Sequence, residues 1–441
     1  MKNLILLSFA FFFSAFACAI ELEKHNITQT TLDNGLKIII KTDKRAPVFI
    51  SQLWYRVGAS DESRPNTGIS HMLEHMMFKG TRDYKVGEFS KIIARNGGND
   101  NAFTSKDYTA YYQKMHKSKL ALAIKMEADR MRHLQLSNDE FEKERQVVIE
   151  ERRLRIEDNP NAQVYEHLKL ISFDKNGAYH APIIGFQADI ESYHLHDLRT
   201  WYEKYYAPNN ASLVVVGDVD PAEVIVLARQ YFGGYKVNPN ITNVDNPSIA
   251  QTSNTRVLKL KAQLPFYILS FSVPSLKTTD NTHNAYALDM LAYVLDNGLS
   301  KALIREQQIA SSIGVEYRLY DKYNTLFTLS FIPVKGVSNE AVLSAIKSKI
   351  TELIQNPDLI KDELVRIKTQ LEAEFVFEQD HISTQSYYLG MLSAIGLSVE
   401  TLFSYVDKMN AISANDVAQA AKQYLNFSQA NSVELIPQGI K

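Results

Sequence analysis

The chain has 441 residues, of which 45% are hydrophobic and 22% are charged, and its formal net charge is −2. This length is too great for a single hydrophobic core and indicates two or more domains. A near-neutral chain without a basic cluster lacks the electrostatic pattern of a nucleic-acid-binding protein, so no nucleic acid is expected among its partners. The only cysteine is Cys18, which excludes a disulfide framework and a thiol nucleophile from the rest of the chain.

The first 19 residues have the composition of an export signal. Lys2 is followed by an almost wholly apolar run, residues 4–20, which contains the small-residue pattern Ala17-Cys18-Ala19. This pattern predicts a signal peptide, residues 1–19, that is cleaved after Ala19. An uncleaved membrane anchor and a lipid on Cys18 are the alternatives, since the run is near the lower length limit of a membrane span. The mature protein is therefore expected in the periplasm.

A short helix with two histidines follows the first predicted strands, residues 36–41 and 47–57. Its centre is His71-Met72-Leu73-Glu74-His75. At about 100° per residue, the two imidazoles lie one turn apart on one face, with the Glu74 carboxylate beside them. Such a pair can bind one divalent ion, and the carboxylate can take a proton from water. The order is the H-x-x-E-H pattern of inverzincins, although a polar helix face with two incidental histidines is the alternative.

The remaining segments alternate between helix and strand, and their order repeats in the second half. Polar residues 236–255, with several Asn and Pro, predict a linker between domains at 20–235 and 256–441. We therefore expect an α+β fold built by internal duplication, although the second half has no H-x-x-E-H pattern. Helices are predicted at 87–96, 119–134, 139–157, 162–172, 221–232, 284–296, 339–354, 357–378, 383–395, 399–409 and 415–424, and strands at 108–114, 211–219, 256–261, 266–273, 313–321, 325–333 and 432–436.

A catalytic zinc site commonly has three protein ligands, so His71 and His75 need one more. The charged helix at 139–157 offers several carboxylates, and Glu144 and Glu151 lie on nearly the same face because they are seven residues apart. One can bind the ion, while the other can interact with the ligands without binding the ion itself. From spacing alone the choice stays open, since these glutamates could also form a solvated charged surface with the neighbouring arginines.

Several motifs of the chain resemble those of the M16 peptidase family, which includes pitrilysin, insulin-degrading enzyme and the mitochondrial processing peptidase with its bacterial relatives. The resemblance implies two α/β sandwich domains of the LuxS/MPP-like metallohydrolase fold in tandem. It also implies one zinc ion held by His71, His75 and Glu151, with Glu144 as the supporting glutamate and Glu74 as the general base. The motifs occur in the family's order: 32–36, 68–81, 97–104 (similar to G-G-x-x-N-A-x-T), 144–151, 157–160 and 214–221.

The same resemblance implies a zinc metalloendopeptidase that cleaves peptides or unfolded segments inside a clam-shell chamber. In the family the substrate adds as a strand to a sheet edge, which here would be Asn101, Ala102 and Phe103. For Asn101 a plain turn residue after the glycine pair is the alternative. A catalytically silent scaffold subunit is the competing interpretation of the whole chain, and a metal-dependent hydrolase of other substrates is a third.

The chain departs from the family in its C-terminal half. Active relatives carry an Arg and a Tyr seven residues apart in that half, where they contact the substrate. Here Arg305 is present, but Ser312 stands at the tyrosine position and Gln308 at a glycine position. A surface salt bridge is the alternative role for Arg305. The loss of the tyrosine beside an intact metal helix predicts a heterodimer, in which a related M16 subunit supplies the Arg/Tyr pair, with a homodimer as the alternative.

Overall fold

A computed structural model describes residues 20–22, 25–241 and 253–439. Within these residues the chain forms two β-sheets, one in each half, and both sheets are covered by helices. The predicted signal peptide, residues 1–19, and most of the predicted linker lie outside the described residues. No single described helix is long and apolar enough to cross a bilayer; only Ile382–Ile395 and Glu400–Asn410 together reach that length, and they meet at a 98° bend.

The first sheet has seven strands in the order β1-β2-β3-β7-β4-β6-β5, so β5 lies at one edge. All neighbours are antiparallel except β3 and β7, which pair in parallel. Long runs of β-branched and aromatic residues favour these strands. The strands are β1 (Ile20–Leu22), β2 (Ile27–Thr31), β3 (Lys37–Thr42), β4 (Val48–Tyr55), β5 (Asn99–Thr104), β6 (Thr109–His116) and β7 (Ala211–Gly217).

Eight helices belong to the first half of the described chain, and most of them cover one face of the first sheet. That face carries a large apolar core to which β4, β7 and the histidine helix all contribute. The helices are α1 (Ile69–Met76), α2 (Glu88–Arg95), α3 (Leu120–Arg132), α4 (Asn138–Arg152), α5 (Pro160–Ser172), α6 (Gln187–Ser192), α7 (Leu195–Tyr205) and α8 (Pro221–Phe232). The predicted helix at 139–157 is α-helical only to Arg152 and continues as a π-helical turn, Arg153–Glu157.

The second sheet has five strands in the order β10-β11-β9-β12-β8, with β12 and β8 in parallel. The strand predicted at 313–321 was wrong in its bounds: it covers Ala310–Glu316. The chain leaves the sheet after Glu316, and the side-chain hydroxyl of the next residue, Tyr317, donates a hydrogen bond to the carbonyl of Pro274. The elements are β8 (Thr255–Lys261), β9 (Phe266–Val273), α9 (Thr282–Leu299), β10 (Ala310–Glu316), β11 (Thr325–Pro333), α10 (Asn339–Gln355), α11 (Lys361–Glu378), α12 (Ile382–Ile395), α13 (Glu400–Asn410), α14 (Ala414–Tyr424) and β12 (Asn431–Gln438).

One helix from each half of the chain packs against the sheet of the other half. Helix α12 packs on the outer face of the first sheet, where Leu389 and Leu392 join a core with Trp54 and Val214. Helix α5 packs on the second sheet through Val164 and other apolar residues. Both sheets are thereby sandwiched between helices, and each sheet relies on a helix from the other half of the chain for part of its core. The two α/β units confirm the predicted α+β class.

Candidate metal centre

Helix α1 carries both histidines and begins at a glycine that no other residue can replace without strain. Gly68 caps the helix with φ of 83°, in the left-handed region. A Cβ at this position would lie 2.3 Å from the carbonyl oxygen of Ile184, because two loops cross in backbone contact there. The helix is therefore clamped at its first turn, and its apolar side, including Met72 and Leu73, is fully buried in the core.

The N-terminus of α1 is held by a glutamate that sequence reasoning missed. The Glu62 carboxylate accepts hydrogen bonds from the backbone N–H of Gly68 at 2.6 Å and of Ser70 at 2.8 Å. These two N–H groups have no partner within the helix, and a carboxylate at this end also interacts favourably with the helix dipole. Glu62 therefore positions the helix that bears His71, although no local sequence pattern marks it.

His71, His75 and Glu151 come together at the contact between α1 and α4. The Oε2 atom of Glu151 lies 3.4 Å from Nε2 of His75 and 3.8 Å from Nε2 of His71. The three potential ligand atoms all lie within 4.8 Å of one another. A tetrahedral zinc ion at ordinary bond lengths separates its ligand atoms by about 3.4 Å, so these spacings fit one ion. Among the described residues this is the only such group of histidine, cysteine and carboxylate side chains.

The protonation preferences of the three side chains also fit a cation. Burial and the neighbouring His75 lower the pKa of His71 to about 4, so its ring is neutral and can offer a lone pair near neutral pH. Burial lowers the pKa of His75 as well, but its hydrogen bond to Glu151 and the charges of Glu151, Glu74 and Glu144 together outweigh burial, so the net shift of the pKa is upward. That hydrogen bond also lowers the pKa of Glu151. The cluster therefore combines a neutral imidazole at His71 with an ionised carboxylate at Glu151, which are the protonation states that metal ligands need.

Glu74 lies beside this cluster and is held by a residue of β5. The hydroxyl of Thr104 donates a 2.5 Å hydrogen bond to Oε2 of Glu74. Burial raises the pKa of Glu74 in spite of this bond, so its carboxylate is a stronger base than an exposed glutamate. Thr104 lies within the segment that resembles a family motif, but its contact with Glu74 spans 30 residues and could not be read from spacing.

Two basic side chains complete the surroundings of α4. Lys79 forms a 2.8 Å ion pair with Glu144, and Arg155 forms a 2.7 Å ion pair with the Oε1 atom of Glu151. Arg155 belongs to the π-helical turn and lies four residues after Glu151, so its guanidinium reaches the second oxygen of the candidate ligand. The carboxylate of Glu144 is close enough to raise the pKa of His75 but makes no hydrogen bond to either imidazole within the described part of the chain.

The predicted substrate edge is the outermost strand of the first sheet. Asn101, Ala102 and Phe103 lie in β5, which pairs only with β6 among the described strands. The backbone N–H of Ala102 donates a 2.8 Å hydrogen bond to the side-chain oxygen of Asn101. Phe103 turns away from the metal cluster, and its ring packs edge-on against Trp54 at 5.3 Å. The side chain of Phe103 is therefore partly buried on the face of the sheet that carries Trp54.

Comparison with known proteins gives matches over nearly the whole chain. The family described as "Insulinase (Peptidase family M16)" matches residues 37–183, and "Peptidase M16 inactive domain" matches residues 193–371. The chain is 30% identical over 429 residues to the zinc protease PqqE of Helicobacter pylori, with 94% of each protein covered.

The chain belongs to peptidase family M16.

Two solved structures of proteases have the same fold. The crystal structure of a protease from Helicobacter pylori has a TM-score of 0.86 and 28% identity, and covers 93% of this chain and 99% of that one. The periplasmic protease PqqL from Escherichia coli has a TM-score of 0.77 at 18% identity, and this chain spans 48% of its length. The predicted family and the tandem pair of M16 domains are confirmed. The exact domain boundaries, 20–235 and 256–441, stay predictions.

The two M16 domains differ in the candidate metal ligands that they contain. All three candidate ligands lie in the first, and the structure does not bring the predicted substrate residue Arg305 to them. Arg305 lies in a π-helical turn, Ser300–Glu306, and lines a cleft of about 720 Å³. The described residues that line this cleft, such as Glu352, all come from the second domain. Ser312 is exposed on β10, next to a shift in strand register.

Proposed function

We propose that this protein is a zinc-dependent metalloendopeptidase that hydrolyses peptides or unfolded segments. The proposal is carried by one observation: the ligand atoms of His71, His75 and Glu151 converge while Glu74 stands beside them, held by Thr104. The zinc protease PqqE, at 30% identity, supports the choice of metal and of reaction class. When bound, a zinc ion supplies Lewis-acid polarisation of the scissile carbonyl and of a water molecule.

The residues of the chain then have distinct roles in peptide hydrolysis. Glu74 takes a proton from the attacking water and later passes it to the leaving amine, and its raised pKa suits it to both steps. Thr104 fixes the direction of the Glu74 carboxylate through its hydroxyl. His71, His75 and Glu151 hold the metal, and Glu144 supports them through the charge it places near His75.

Substrate binding is assigned to the free edge of β5. An extended peptide can pair with the backbone of Asn101, Ala102 and Phe103, which gives affinity without a strong demand on sequence. The Asn101 side chain then has to release the N–H of Ala102, which it occupies in the free protein. Because β5 also carries Thr104, such a strand lies next to Glu74.

Replacing Glu151 with glutamine tests the proposed metal centre. The Glu151→Gln variant is expected to bind zinc at least about tenfold more weakly, because an anionic ligand becomes a neutral one, and to lose most peptidase activity. Metal content after dialysis and cleavage of a quenched peptide measure the two effects. Glu150→Gln is the matched control, since Glu150 precedes the ligand and pairs with Arg153 on the surface. Equal zinc content and activity in both variants would contradict the assignment.

Replacing Thr104 tests the positioning of the base. In Thr104→Val the 2.5 Å hydrogen bond to Glu74 is lost while the side-chain volume is kept. We expect kcat to fall about tenfold with zinc content unchanged, and the limb of the pH–rate profile that reports the base to move upward, because the bond lowers the pKa of Glu74. Thr104→Ser should restore both. A fall in kcat that serine does not restore would indicate a packing effect.

We further propose that the protein acts as the catalytic subunit of a heterodimer. Ser312 cannot reach where a tyrosine reaches, so a related M16 subunit would supply the Arg/Tyr pair, and Arg305 could not complete the site alone. Expression of the chain alone should give low peptidase activity, and co-expression with a related M16 chain should raise it. Strong activity of the isolated protein would overturn this part. Zinc binding without turnover in any combination would favour the silent scaffold subunit.

We also propose export to the periplasm. The apolar N-terminal segment with Ala17-Cys18-Ala19 supports this placement, as does the structural similarity to the periplasmic protease PqqL. N-terminal sequencing of the mature protein from a periplasmic extract should begin at Ile20.

A further inference from the structure

A cavity of about 290 Å³ opens between the two halves of the chain, at the end of β5. Its lip includes Ser105 and Tyr108, which follow directly after the strand, and its walls come from α9, α11, α12 and α13. Seven of its lining residues are tyrosines and five are carboxylic acids, against a single arginine. This composition is unusual for an interface between two packed domains, where apolar side chains normally fill the space.

The three carboxylates that helices contribute to the cavity have no cationic partner among the described residues. Asp289 of α9 accepts a 2.8 Å hydrogen bond from the hydroxyl of Tyr405, and Glu378 of α11 accepts one of 3.2 Å from Tyr388. Glu374, one helical turn before Glu378, is exposed and makes no hydrogen bond or ion pair with any described residue. Within residues 25–241 and 253–439, no lysine, arginine or histidine pairs with any of the three.

Two of the other charged groups around the cavity are held in ion pairs. Asp321 forms a 2.6 Å ion pair with Lys106, and Arg318 is held at 2.9 Å by Glu316. Asp107 makes no ion pair with a described residue: its Oδ2 accepts hydrogen bonds from the neutral hydroxyl of Tyr179 and from the backbone N–H of Lys322, and its buried Oδ1 has no hydrogen-bond partner among the described residues. The carboxylates of the cavity without a cationic partner are therefore Asp107, Asp289, Glu374 and Glu378.

Burial of the Asp289 carboxyl costs folding free energy. Its residue is only 9% exposed, and burial raises its pKa to about 7. A buried carboxyl without a cation destabilises the folded protein, since its charge has lost water and gained only one neutral hydrogen bond. Burial also raises the pKa of Glu378. A positively charged ligand would offset this cost at both positions.

The tyrosine rings that line the cavity favour organic cations over inorganic ones. Tyr387 and Tyr388 stand at 73° with their centroids 5.7 Å apart, and Tyr293 is 36% exposed at the mouth. Aromatic faces attract alkylammonium and guanidinium groups, whereas a small inorganic cation prefers a shell of oxygen ligands. We propose that this cavity is a binding site for an organic cation, namely an ammonium or guanidinium group on a short apolar stem. Its volume, at the lower limit of small-molecule pockets, suits a group the size of one side chain.

Two sources could deliver such a group. A lysine or arginine side chain of a peptide aligned on β5 reaches the lip at Ser105, and this source rests on the proposed peptidase function. A free amine such as agmatine carries the same chemistry and needs no peptidase activity. Both would be held by the same carboxylates and rings.

Calorimetric titration of the full-length protein tests the site with three probes: agmatine, Nα-acetylarginine amide and the neutral isostere Nα-acetylcitrulline amide. Both cations are expected to bind at least about tenfold more tightly than the citrulline derivative, because hydrogen bonds to charged groups are the stronger ones. Tighter binding of the arginine amide than of agmatine assigns the site to peptide side chains, and the reverse order assigns it to free amines. Neither result depends on hydrolysis, so the test is separate from that of the peptidase.

The double variant Glu374→Gln/Glu378→Gln should lose this preference, with cation affinity lowered about tenfold. Glu374→Gln alone serves as the variant that cannot impair folding, because its side chain is exposed and unpaired, and it should weaken binding severalfold. Glu372→Gln is the matched control on the same helix, since Glu372 bonds to Asn410 and does not line the cavity. Equal affinity for arginine and citrulline amides, no binding of either cation, or equal behaviour of the double variant and the control would each overturn the proposal.

Discussion

Replacing Glu74 with glutamine should lower peptide hydrolysis by about 10²–10⁴-fold while leaving the bound metal in place. Glutamine has the shape of glutamate but cannot accept a proton from water at neutral pH. Its amide oxygen can still receive the hydrogen bond that Thr104 donates to Glu74, so the local packing is kept. His71, His75 and Glu151 are untouched, and zinc content should therefore equal that of the wild type. Cleavage of a quenched peptide and metal analysis of the same preparation measure both effects.

The result separates chemistry from structure because the two readouts are expected to diverge. Glu142→Gln is a suitable control, since Glu142 is an exposed residue of α4 that pairs with Arg145. It should retain both activity and metal. If Glu74→Gln kept its activity, another residue would be the base. If it lost zinc together with activity, Glu74 would belong to the metal site itself.

The local half of the candidate metal centre could be predicted because one helical turn places His71, Glu74 and His75 together. Helix geometry is set by the backbone, so spacing alone defines the relative positions of these side chains. The choice of Glu151 over Glu144 was different. Both lie on the same face of α4, and only the family resemblance separated them. The structure places Oε2 of Glu151 at 3.4 Å from His75 and pairs Glu144 with Lys79 instead.

Contacts between distant segments could not be predicted. The Glu62 carboxylate reaches the N–H groups of Gly68 and Ser70 from a loop, and Thr104 reaches Glu74 from an edge strand. None of these has a periodic signal, because each depends on how whole elements pack. The exchange of α5 and α12 between the two sheets was missed for the same reason. An amphipathic pattern shows that a helix face is buried, but not which sheet buries it.

Because α12 packs on the first sheet, the contact between the two halves has no room for a larger residue at one glycine. Gly390 lies in the middle of α12, where a Cβ would be 2.0 Å from Cε2 of Trp54 and 2.1 Å from its Nε1. The indole cannot move aside freely, since Trp54 is fully buried and its Nε1 donates a 2.9 Å hydrogen bond to Gln52. Alanine normally favours a helix by about 1 kcal/mol over glycine. Here Gly390→Ala should instead lower the free energy of unfolding by about 3 kcal/mol, because the helix must lift off the first sheet.

Urea denaturation of Gly390→Ala beside Gly298→Ala measures this effect. Gly298 also lies in a helix, α9, but nothing lies within 4 Å of a Cβ there, so its replacement should be neutral or stabilising. Replacing Trp54, whose indole contacts Gly390, with the smaller leucine provides a second test of this contact. Trp54→Leu alone should destabilise through lost burial, and its combination with Gly390→Ala should cost less than the sum of the two changes, because the clash is gone. Additive effects, or equal stability of the two glycine variants, would mean that α12 does not sit on Trp54 and that the two halves are joined differently.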